Sequence, residues 1–105
     1  MENWATFFQK IKSIAHITGG GFYENIPRAL PEGLCAKIEI NSVRTPAIFD
    51  LLMKTENIEL DEMYHVFNMG VGMILFAGND DLVKSIDGAY VIGEVVKGER
   101  GIILC

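Results

Sequence analysis

The sequence has few basic residues, few cysteines and no long apolar run, and each shortage excludes a class of protein. Lys and Arg number nine against fourteen Asp and Glu, which leaves a formal net charge of −5. Nucleic-acid surfaces need clustered Lys and Arg to displace the counterions of the phosphate backbone. This acidic balance therefore argues against a nucleic-acid partner.

The two cysteines, Cys35 and Cys105, are far apart and have neither a CxxC spacing nor a histidine at ligand spacing. They predict free thiols, and neither a disulfide framework nor a metal site. No apolar run approaches the roughly 20 residues of a membrane-spanning helix, and Met1 to Lys12 lacks the pattern of a signal peptide. We therefore expect a cytoplasmic protein without a membrane partner.

The apolar content is sufficient for one small domain. Half of the 105 residues are hydrophobic, and no repeat, low-complexity tract or linker divides the chain. Residues 1–105 are therefore predicted to form a single domain. Helical and strand patterns alternate along it, which predicts the α+β class, an α/β layered sandwich in which a mixed sheet packs against helices.

The spacing of apolar residues predicts the individual elements. An amphipathic helix is predicted from the three- and four-residue spacing of Trp4, Phe8, Ile11, Ile14 and Ala15, with Phe7 also on an apolar face. Three further helices are predicted: Tyr23 to Leu30 with Asn25 as a cap, one from Thr45-Pro46 with Ile48, Leu51 and Leu52 on its apolar face, and one from Asp61. A short helix follows Asn79, and the predicted strands are Ala36–Ile40, Met73–Ala77, Ala89–Val96 and Ile102–Leu104. Met73–Ala77 is apolar throughout, which predicts a central strand covered on both faces.

Gly19, Gly20 and Gly21 follow Thr18 and precede a predicted helix. Exposed amides and the positive end of a helix dipole favour an anion at such a place, whereas a sharp turn that needs glycine for steric reasons alone is equally consistent with the pattern. No Lys-Ser/Thr pair follows, which excludes a Walker A loop. Because the preceding element is predicted to be a helix, a dinucleotide fingerprint is also excluded.

Other polar residues offer weaker signals for chemistry. His16 directly precedes the glycines, so that it could act as an acid, a base or a phosphate contact, or simply bond the carbonyls at a helix end. His65 has no histidine partner and is predicted to lie on a solvated helix face. The carboxylates at predicted helix starts are interpreted as caps, namely Glu59, Asp61, Glu62, Asp80 and Asp81.

Three segments of the sequence resemble those of one known enzyme family. Residues His16 to Pro31, HITGGGFYENIPRALP, are similar to the family pattern HITGGG-x-x-ENIPR-x-LP. Glu62-Met63 followed by Phe67 to Met73 is similar to EM and FN-x-GVGM, and Ala89 to Glu94 is similar to a strand containing IGE. The resemblance is to the AIR synthetase family, the phosphoribosylformylglycinamidine cyclo-ligases of purine synthesis, and it extends from His16 to the end of the sequence.

The resemblance implies ATP-dependent ring closure of formylglycinamidine ribonucleotide to aminoimidazole ribonucleotide. Carried over to matching positions, it implies catalytic roles for His16 and Thr18, and binding of substrate or phosphate by Gly19, Gly20 and Gly21, with Asn25 and Asn68 as further candidates. Donors aimed at developing anionic charge would lower the barrier of such a reaction.

The resemblance is to the C-terminal part of these enzymes, truncated at its N-terminal side. The N-terminal domain, implied to bind most of ATP and Mg²⁺, and the first strands of the C-terminal domain have no counterpart in the 105 residues. We therefore expect no tightly bound cofactor and no catalysis by this chain alone. Open strand edges would favour a homo-oligomer. A non-catalytic remnant or phosphate-binding module of the same fold is the alternative.

Overall fold

The computed structural model of the protein describes residues 11–105. Its strands are β1 (Ile11–His16), β2 (Leu34–Ile38), β3 (Met73–Ala77), β4 (Gly93–Lys97) and β5 (Gly101–Leu104). Its α-helices are α1 (Gly21–Asn25), α2 (Ala47–Thr55), α3 (Leu60–Val66) and α4 (Leu82–Ser85), and two single 3-10 turns occupy Pro27–Ala29 and Ile40–Ser42. Mixed helices and sheets confirm the predicted α+β class.

The five strands form two open sheets. In the first, β1 and β3 run antiparallel, with His16 opposite Met73. The second has the order β4-β2-β5 and is mixed, because β2 is antiparallel to β4 and parallel to β5. β4 and β5 are consecutive in sequence, yet they lie on opposite sides of β2 instead of forming a hairpin. The turn between them therefore carries the chain around the end of β2.

The predicted N-terminal helix is wrong from Ile11 to Ala15, where the chain forms β1. The strand buries Ala15 and half-buries Ser13, while Ile14 on its other face is exposed. The isoleucines happen to have helical spacing, but strand pairing with β3 outweighs this local preference. The remainder of that prediction, including the aromatic residues Trp4, Phe7 and Phe8, lies outside the described residues.

The core is centred where α1 packs against α3. Phe22 of α1 and Ile26, the residue directly after this helix, are fully buried. They belong to one core cluster with Met63 and Tyr64 of α3. The rings of Phe22 and Tyr64 meet edge to face, with centroids 4.9 Å apart and planes at 74°, a favoured aromatic geometry. Burying side chains of this size contributes about 1.5–3 kcal/mol each, so this contact anchors the glycine segment to the rest of the domain.

The start of β3 is more exposed than its sequence predicts. Met73 is exposed and Ile74 is the one buried residue of the strand, and within residues 11–105 the strand pairs with β1 alone. The prediction of a central strand covered on both faces is therefore wrong for the described structure. Within residues 11–105, its apolar run borders a cleft in place of a second neighbouring strand.

Several predicted boundaries and faces also differ. α2 packs on the core through Phe49, Leu52 and Met53, whereas Ile48 and Leu51 are exposed. Its apolar face was therefore predicted one residue out of place, because the two runs of three apolar residues, Ala47 to Phe49 and Leu51 to Met53, fit two helix faces. β2 spans Leu34–Ile38 instead of Ala36–Ile40, and β4 begins at Gly93 instead of Ala89.

Cys35 is buried in β2 and Cys105 is exposed, and both are free thiols as predicted. In the part of the chain that the structure describes, no helix combines the length and apolar character needed to cross a membrane.

Candidate functional site

The glycine segment joins a strand to a helix. β1 ends at His16, and α1 begins at Gly21. The helix predicted before the glycines is absent, so the reason given for excluding a dinucleotide fingerprint is wrong. Its glycine spacing is still different, because Glu24 stands where G-x-G-x-x-G from Gly19 would place the last glycine.

Gly21 is required by close packing as well as by its backbone angle. Its φ is +62°, in the left-handed region that side chains disfavour. A Cβ on Gly21 would overlap the carbonyl oxygen of Tyr64 and lie 2.8 Å from that of Phe67. Gly19, in contrast, faces open space and has no positive φ. The steric explanation therefore holds for Gly21 and does not explain Gly19.

The turn leaves two backbone donors at its surface. The Gly21 amide donates to the carbonyl of Thr18 over 3.1 Å. Among residues 11–105, no protein acceptor takes the amides of Gly19 and Gly20. Successive unpaired amides in a tight turn form a concavity that suits an anion.

Asn25 holds the turn from beneath. It is buried, at 6% exposure. Its Nδ2 is directed at three carbonyl oxygens, those of Gly21 at 2.8 Å, Thr18 at 3.2 Å and Gly19 at 3.4 Å. The Thr18 hydroxyl donates to its Oδ1 over 3.3 Å. Asn25 is the last residue of α1 and not its N-cap, so the predicted cap is wrong, and its polar atoms position the glycine turn.

An open cavity of about 310 Å³ lies beside the turn. His16, Thr18, Asn25 and Arg28 all line it, together with Ile14, Ala15 and Ala29. His16 is exposed at the end of β1. Arg28 is the cation that sequence reasoning missed, although it belongs to the ENIPR segment. Arg28 is the second residue of the 3-10 turn, and it lines the same cavity as Thr18 and Asn25.

A carboxylate also reaches this region. Glu24 Oε1 accepts a hydrogen bond from Arg28 Nη2 over 2.6 Å, and the Glu24 side chain lies over Gly20. Both side chains are more than half exposed, so the pair is weak, worth at most about 1 kcal/mol. The arginine can therefore exchange this partner for another anion.

Asn68 lies on a second loop that is joined to the first. Its Oδ1 accepts a hydrogen bond from the Gly70 amide over 2.8 Å, and its carbonyl accepts one from Val71 over 2.9 Å. The loop is bonded to the end of β1, because the Ile17 amide donates to Gly72 over 2.9 Å. The structure therefore brings two of the three motif segments together, while Asn68 itself has its side-chain oxygen engaged in its own turn.

Tyr23, Asp61 and His65 form a second polar cluster on the outer side of α1. The Tyr23 hydroxyl donates to Asp61 Oδ1, and the His65 ring stacks on Tyr23 with centroids 3.8 Å apart. Burial, followed by the hydrogen bond and the charge of Asp61, raises the pKa of Tyr23 to about 12. Asp61 makes this contact and no cap bond to α3, so its predicted capping role is wrong.

The other predicted caps have a similar outcome. No side chain caps α3 or α4. Asp61 and Glu62 do lie in the first turn of α3, where the dipole favours negative charge. Before α4, Asn79 Oδ1 accepts a bond from the Asp81 amide over 3.0 Å. Within residues 11–105, the structure contains no group of three His, Cys, Asp or Glu side chains that could hold a metal ion.

Known proteins match the chain over nearly its full length. The family described as AIR synthase related protein, C-terminal domain, matches residues 4–105. A phosphoribosylformylglycinamidine cyclo-ligase of Staphylococcus saprophyticus is 52% identical in an alignment of 102 residues, with coverage of 90% of this chain and 30% of that protein. Cyclo-ligases of Caldanaerobacter subterraneus and Staphylococcus carnosus are 47% identical over 102 residues and 48% identical over 95 residues. These cover 90% and 84% of this chain, but 30% and 28% of the relatives.

The chain thus spans about 30% of the length of the curated relatives that it matches. The resemblance inferred from the HITGGG, ENIPR and FN-x-GVGM segments is confirmed. The chain belongs to the family of AIR synthase related protein C-terminal domains.

Proposed function

We propose that the chain forms the substrate-phosphate side of a phosphoribosylformylglycinamidine cyclo-ligase active site. The observation that carries the proposal is the juxtaposition of two unpaired glycine amides, at Gly19 and Gly20, with a cavity lined by His16, Thr18 and Arg28. Amides, a hydroxyl and a guanidinium are the donors with which proteins bind phosphate. The names of the relatives supply the reaction.

The donors have different parts in this proposal. Gly19 and Gly20 hold the anion through their amides, which need no side-chain ordering. Arg28 provides the cation, and Asn25 positions the turn without meeting the ligand directly, because its atoms are engaged by the loop. Asn68 acts on the neighbouring loop, whose shape its side chain supports.

His16 and Thr18 are the proposed catalytic residues. The Thr18 hydroxyl donates its hydrogen bond to Asn25. The lone pairs of its oxygen therefore remain available to a ligand in the cavity. His16 is exposed at the cavity rim, where its ring nitrogens are open to a ligand. Both side chains are anchored by β1 and its continuation, so that their positions do not depend on a mobile loop tip.

ATP, when bound, supplies the phosphoryl group that activates the formyl oxygen of the substrate. We propose that ATP and Mg²⁺ are held mainly by polypeptide that precedes this domain in the relatives, because the described carboxylates form no metal-binding group. The chain alone is then inactive. A cytoplasmic location and self-association through open strand edges belong to the same proposal.

The test is an amide NMR titration of the chain with formylglycinamidine ribonucleotide, with inorganic phosphate and ATP in separate samples. Saturable shifts are expected at Gly19, Gly20 and Thr18 with the ribonucleotide and, more weakly, with phosphate. Arg28→Gln should weaken binding by about 10- to 100-fold, because a hydrogen bond to a charged group contributes about 1.5–3 kcal/mol. Arg100→Gln removes the same charge at the β4–β5 turn and should have no effect beyond a small general one.

A third variant tests the exchange of anions at Arg28. Glu24→Gln removes a negative charge that lies over Gly20, and binding should strengthen by about fivefold, since a charge at 4 Å in water acts with about 1 kcal/mol. If the folded chain shows no shifts at the glycine turn, or if Arg28 and Arg100 variants behave alike, the phosphate site is refuted. Phosphate binding without ribonucleotide selectivity would favour the non-catalytic module.

A further inference from the structure

Glu24 stands at the border between the glycine turn and the cavity that His16 lines. Its carboxylate lies over Gly20, in the space that a side chain at that position would fill. Its Oε1 accepts a hydrogen bond from Arg28 Nη2 over 2.6 Å, and Arg28 itself lines the cavity. The carboxylate therefore contacts both the turn and the guanidinium, the two groups to which the phosphate is proposed to bind.

A carboxylate at this position disfavours every phosphate that approaches the turn. Like charges repel, and an anion has to displace Glu24 from Arg28 before it can pair with the guanidinium. Stability is a weak explanation for the carboxylate, because an ion pair whose side chains are 67% and 51% exposed contributes little to folding. A ligand that brings hydrogen-bond donors for the carboxylate gives a better one.

The carboxylate can change its partner while the backbone that carries it stays in place. Within residues 11–105, Arg28 is the only residue with which the Glu24 carboxylate forms a hydrogen bond or an ion pair. The Glu24 amide donates to the Gly20 carbonyl over 3.3 Å, and buried Phe22 and Asn25 hold α1 in the domain. Once a phosphate takes Arg28, the carboxylate is therefore released beside the phosphate and lacks a donor.

Ribose attached to the phosphate supplies suitable donors. An ionised carboxylate only accepts hydrogen bonds, and those that it accepts from hydroxyl groups are short and strong. In a ribose 5-phosphate, the chain of atoms from the ester oxygen to the 3-hydroxyl passes only through the fifth, fourth and third carbons. The 2-hydroxyl is on the adjacent carbon, so the two hydroxyls can meet the two carboxylate oxygens. Dinucleotide-binding domains likewise direct an acidic side chain at ribose hydroxyls, beyond a glycine turn that holds the phosphates.

We propose that Glu24 selects ribose 5-phosphate esters at the glycine turn, by accepting hydrogen bonds from the 2- and 3-hydroxyls of the sugar. The proposal rests on the phosphate site proposed at Gly19 and Gly20. In the empty site the carboxylate pairs with Arg28, and in the occupied site the phosphate takes Arg28 while the sugar takes Glu24. Glu24 therefore weakens the binding of inorganic phosphate, and only a ligand with sugar hydroxyls regains what the carboxylate costs.

The test compares three ligands by amide NMR titration of the whole chain, followed at Thr18, Gly19 and Gly20. The ligands are methyl β-ribofuranoside 5-phosphate, its 2-deoxy analogue and inorganic phosphate. The riboside is expected to bind about tenfold more tightly than the 2-deoxy analogue, because the analogue lacks one hydrogen bond to a charged acceptor. A site that is built to bond a hydroxyl discriminates against a ligand without it.

Substitutions of Glu24 separate the sugar contact from the effect of charge. In Glu24→Ala the preference for the riboside should fall to within about twofold, while inorganic phosphate should bind about fivefold more tightly because the repelling charge is gone. Glu24→Gln loses the same charge but keeps an acceptor oxygen, so a preference of about threefold should remain. Glu99→Ala removes an exposed carboxylate at the β4–β5 turn and should leave the tenfold preference unchanged. Alanine favours helix at position 24, so circular dichroism should show a folded variant.

The outcomes distinguish the role of Glu24 from the phosphate site itself. If no ligand shifts the amides of Gly19 and Gly20, the phosphate site is refuted and the sugar contact is refuted with it. If the esters bind at the turn but the parent chain does not prefer the riboside, only the role of Glu24 is refuted. The same conclusion follows if Glu24→Ala keeps the tenfold preference, or if Glu99→Ala loses it to the same extent as Glu24→Ala.

Discussion

The steric role of Gly21 is the most direct prediction of the structure. Gly21→Ala is expected to destabilise the domain strongly, because it combines a left-handed backbone with an overlap against a backbone atom. The φ of +62° and the overlap with the Tyr64 carbonyl occur at the same residue. Backbone carbonyls in α3 cannot rotate away as a flexible side chain would, so α1 must shift and uncover Phe22.

The magnitude is the sum of two terms that other glycines separate. A left-handed angle costs a residue with a Cβ about 1–2 kcal/mol, and an overpacked site costs about 1–3 kcal/mol more. Gly33→Ala isolates the first term, since Gly33 has a φ of +88° and open space around it. Neither cost applies to Gly19→Ala, because Gly19 has neither a positive φ nor a neighbour within 4 Å.

The assay is urea and thermal unfolding of the three variants, followed by far-UV circular dichroism. Gly21→Ala should lose about 2–5 kcal/mol, Gly33→Ala about 1–2 kcal/mol, and Gly19→Ala less than about 0.5 kcal/mol. For a domain of this size, each kcal/mol lowers Tm by about 4–8 °C. If Gly21→Ala and Gly33→Ala lose the same free energy of unfolding, the overlap with α3 is not present in solution. If all three variants match the parent, the geometry of the glycine turn is refuted.

Three further predictions concern other contacts. Spectrophotometric titration should show Tyr23 ionising near pH 12, and Asp61→Asn should lower that pKa in part, because burial is the larger cause. Since the folded-state pKa is raised, stability is complete below pH 10 and is lost as the pH rises toward 12, and Tyr23→Phe should remove this loss. Asn25→Ala should cost at least about 2 kcal/mol in denaturant unfolding, since it leaves carbonyls of the turn unbonded. Gly93→Ala should cost about 1–3 kcal/mol, because its Cβ would overlap the Lys37 carbonyl across the β2–β4 pair.

Matched variants identify the result that contradicts each prediction. Asn79→Ala removes an exposed amide that bonds one backbone group, and equal losses from Asn79→Ala and Asn25→Ala would refute the special role of Asn25. Gly72→Ala adds a Cβ in open space, so it should be neutral where Gly93→Ala is not. A Tyr23 pKa that stays the same in Asp61→Asn would exclude the hydrogen bond between them.

The candidate site was partly predictable from the sequence. Three glycines after Thr18 predicted a tight turn into a helix, and the resemblance selected His16, Thr18, Asn25 and Asn68 around it. The structure brings His16, Thr18 and Asn25 to one cavity. Arg28 was missed because a lone arginine in a short helix has no spacing signal. Its position in the same cavity as Thr18 follows only from the folded structure.

Local sequence determined the elements whose signals are short-ranged. The backbone is restricted over a few residues by the glycines before α1, the proline before α2 and the apolar runs of β2 and β3. These elements appear in nearly the predicted places. Tertiary structure decided what those signals do not contain. Ile11 to Ala15 became a strand because β3 offered an edge, and β5 passed to the far side of β2 because β4 occupied the near side. The physical reason is that strand pairing joins residues distant in sequence, so its free energy belongs to the pair and neither segment specifies it alone.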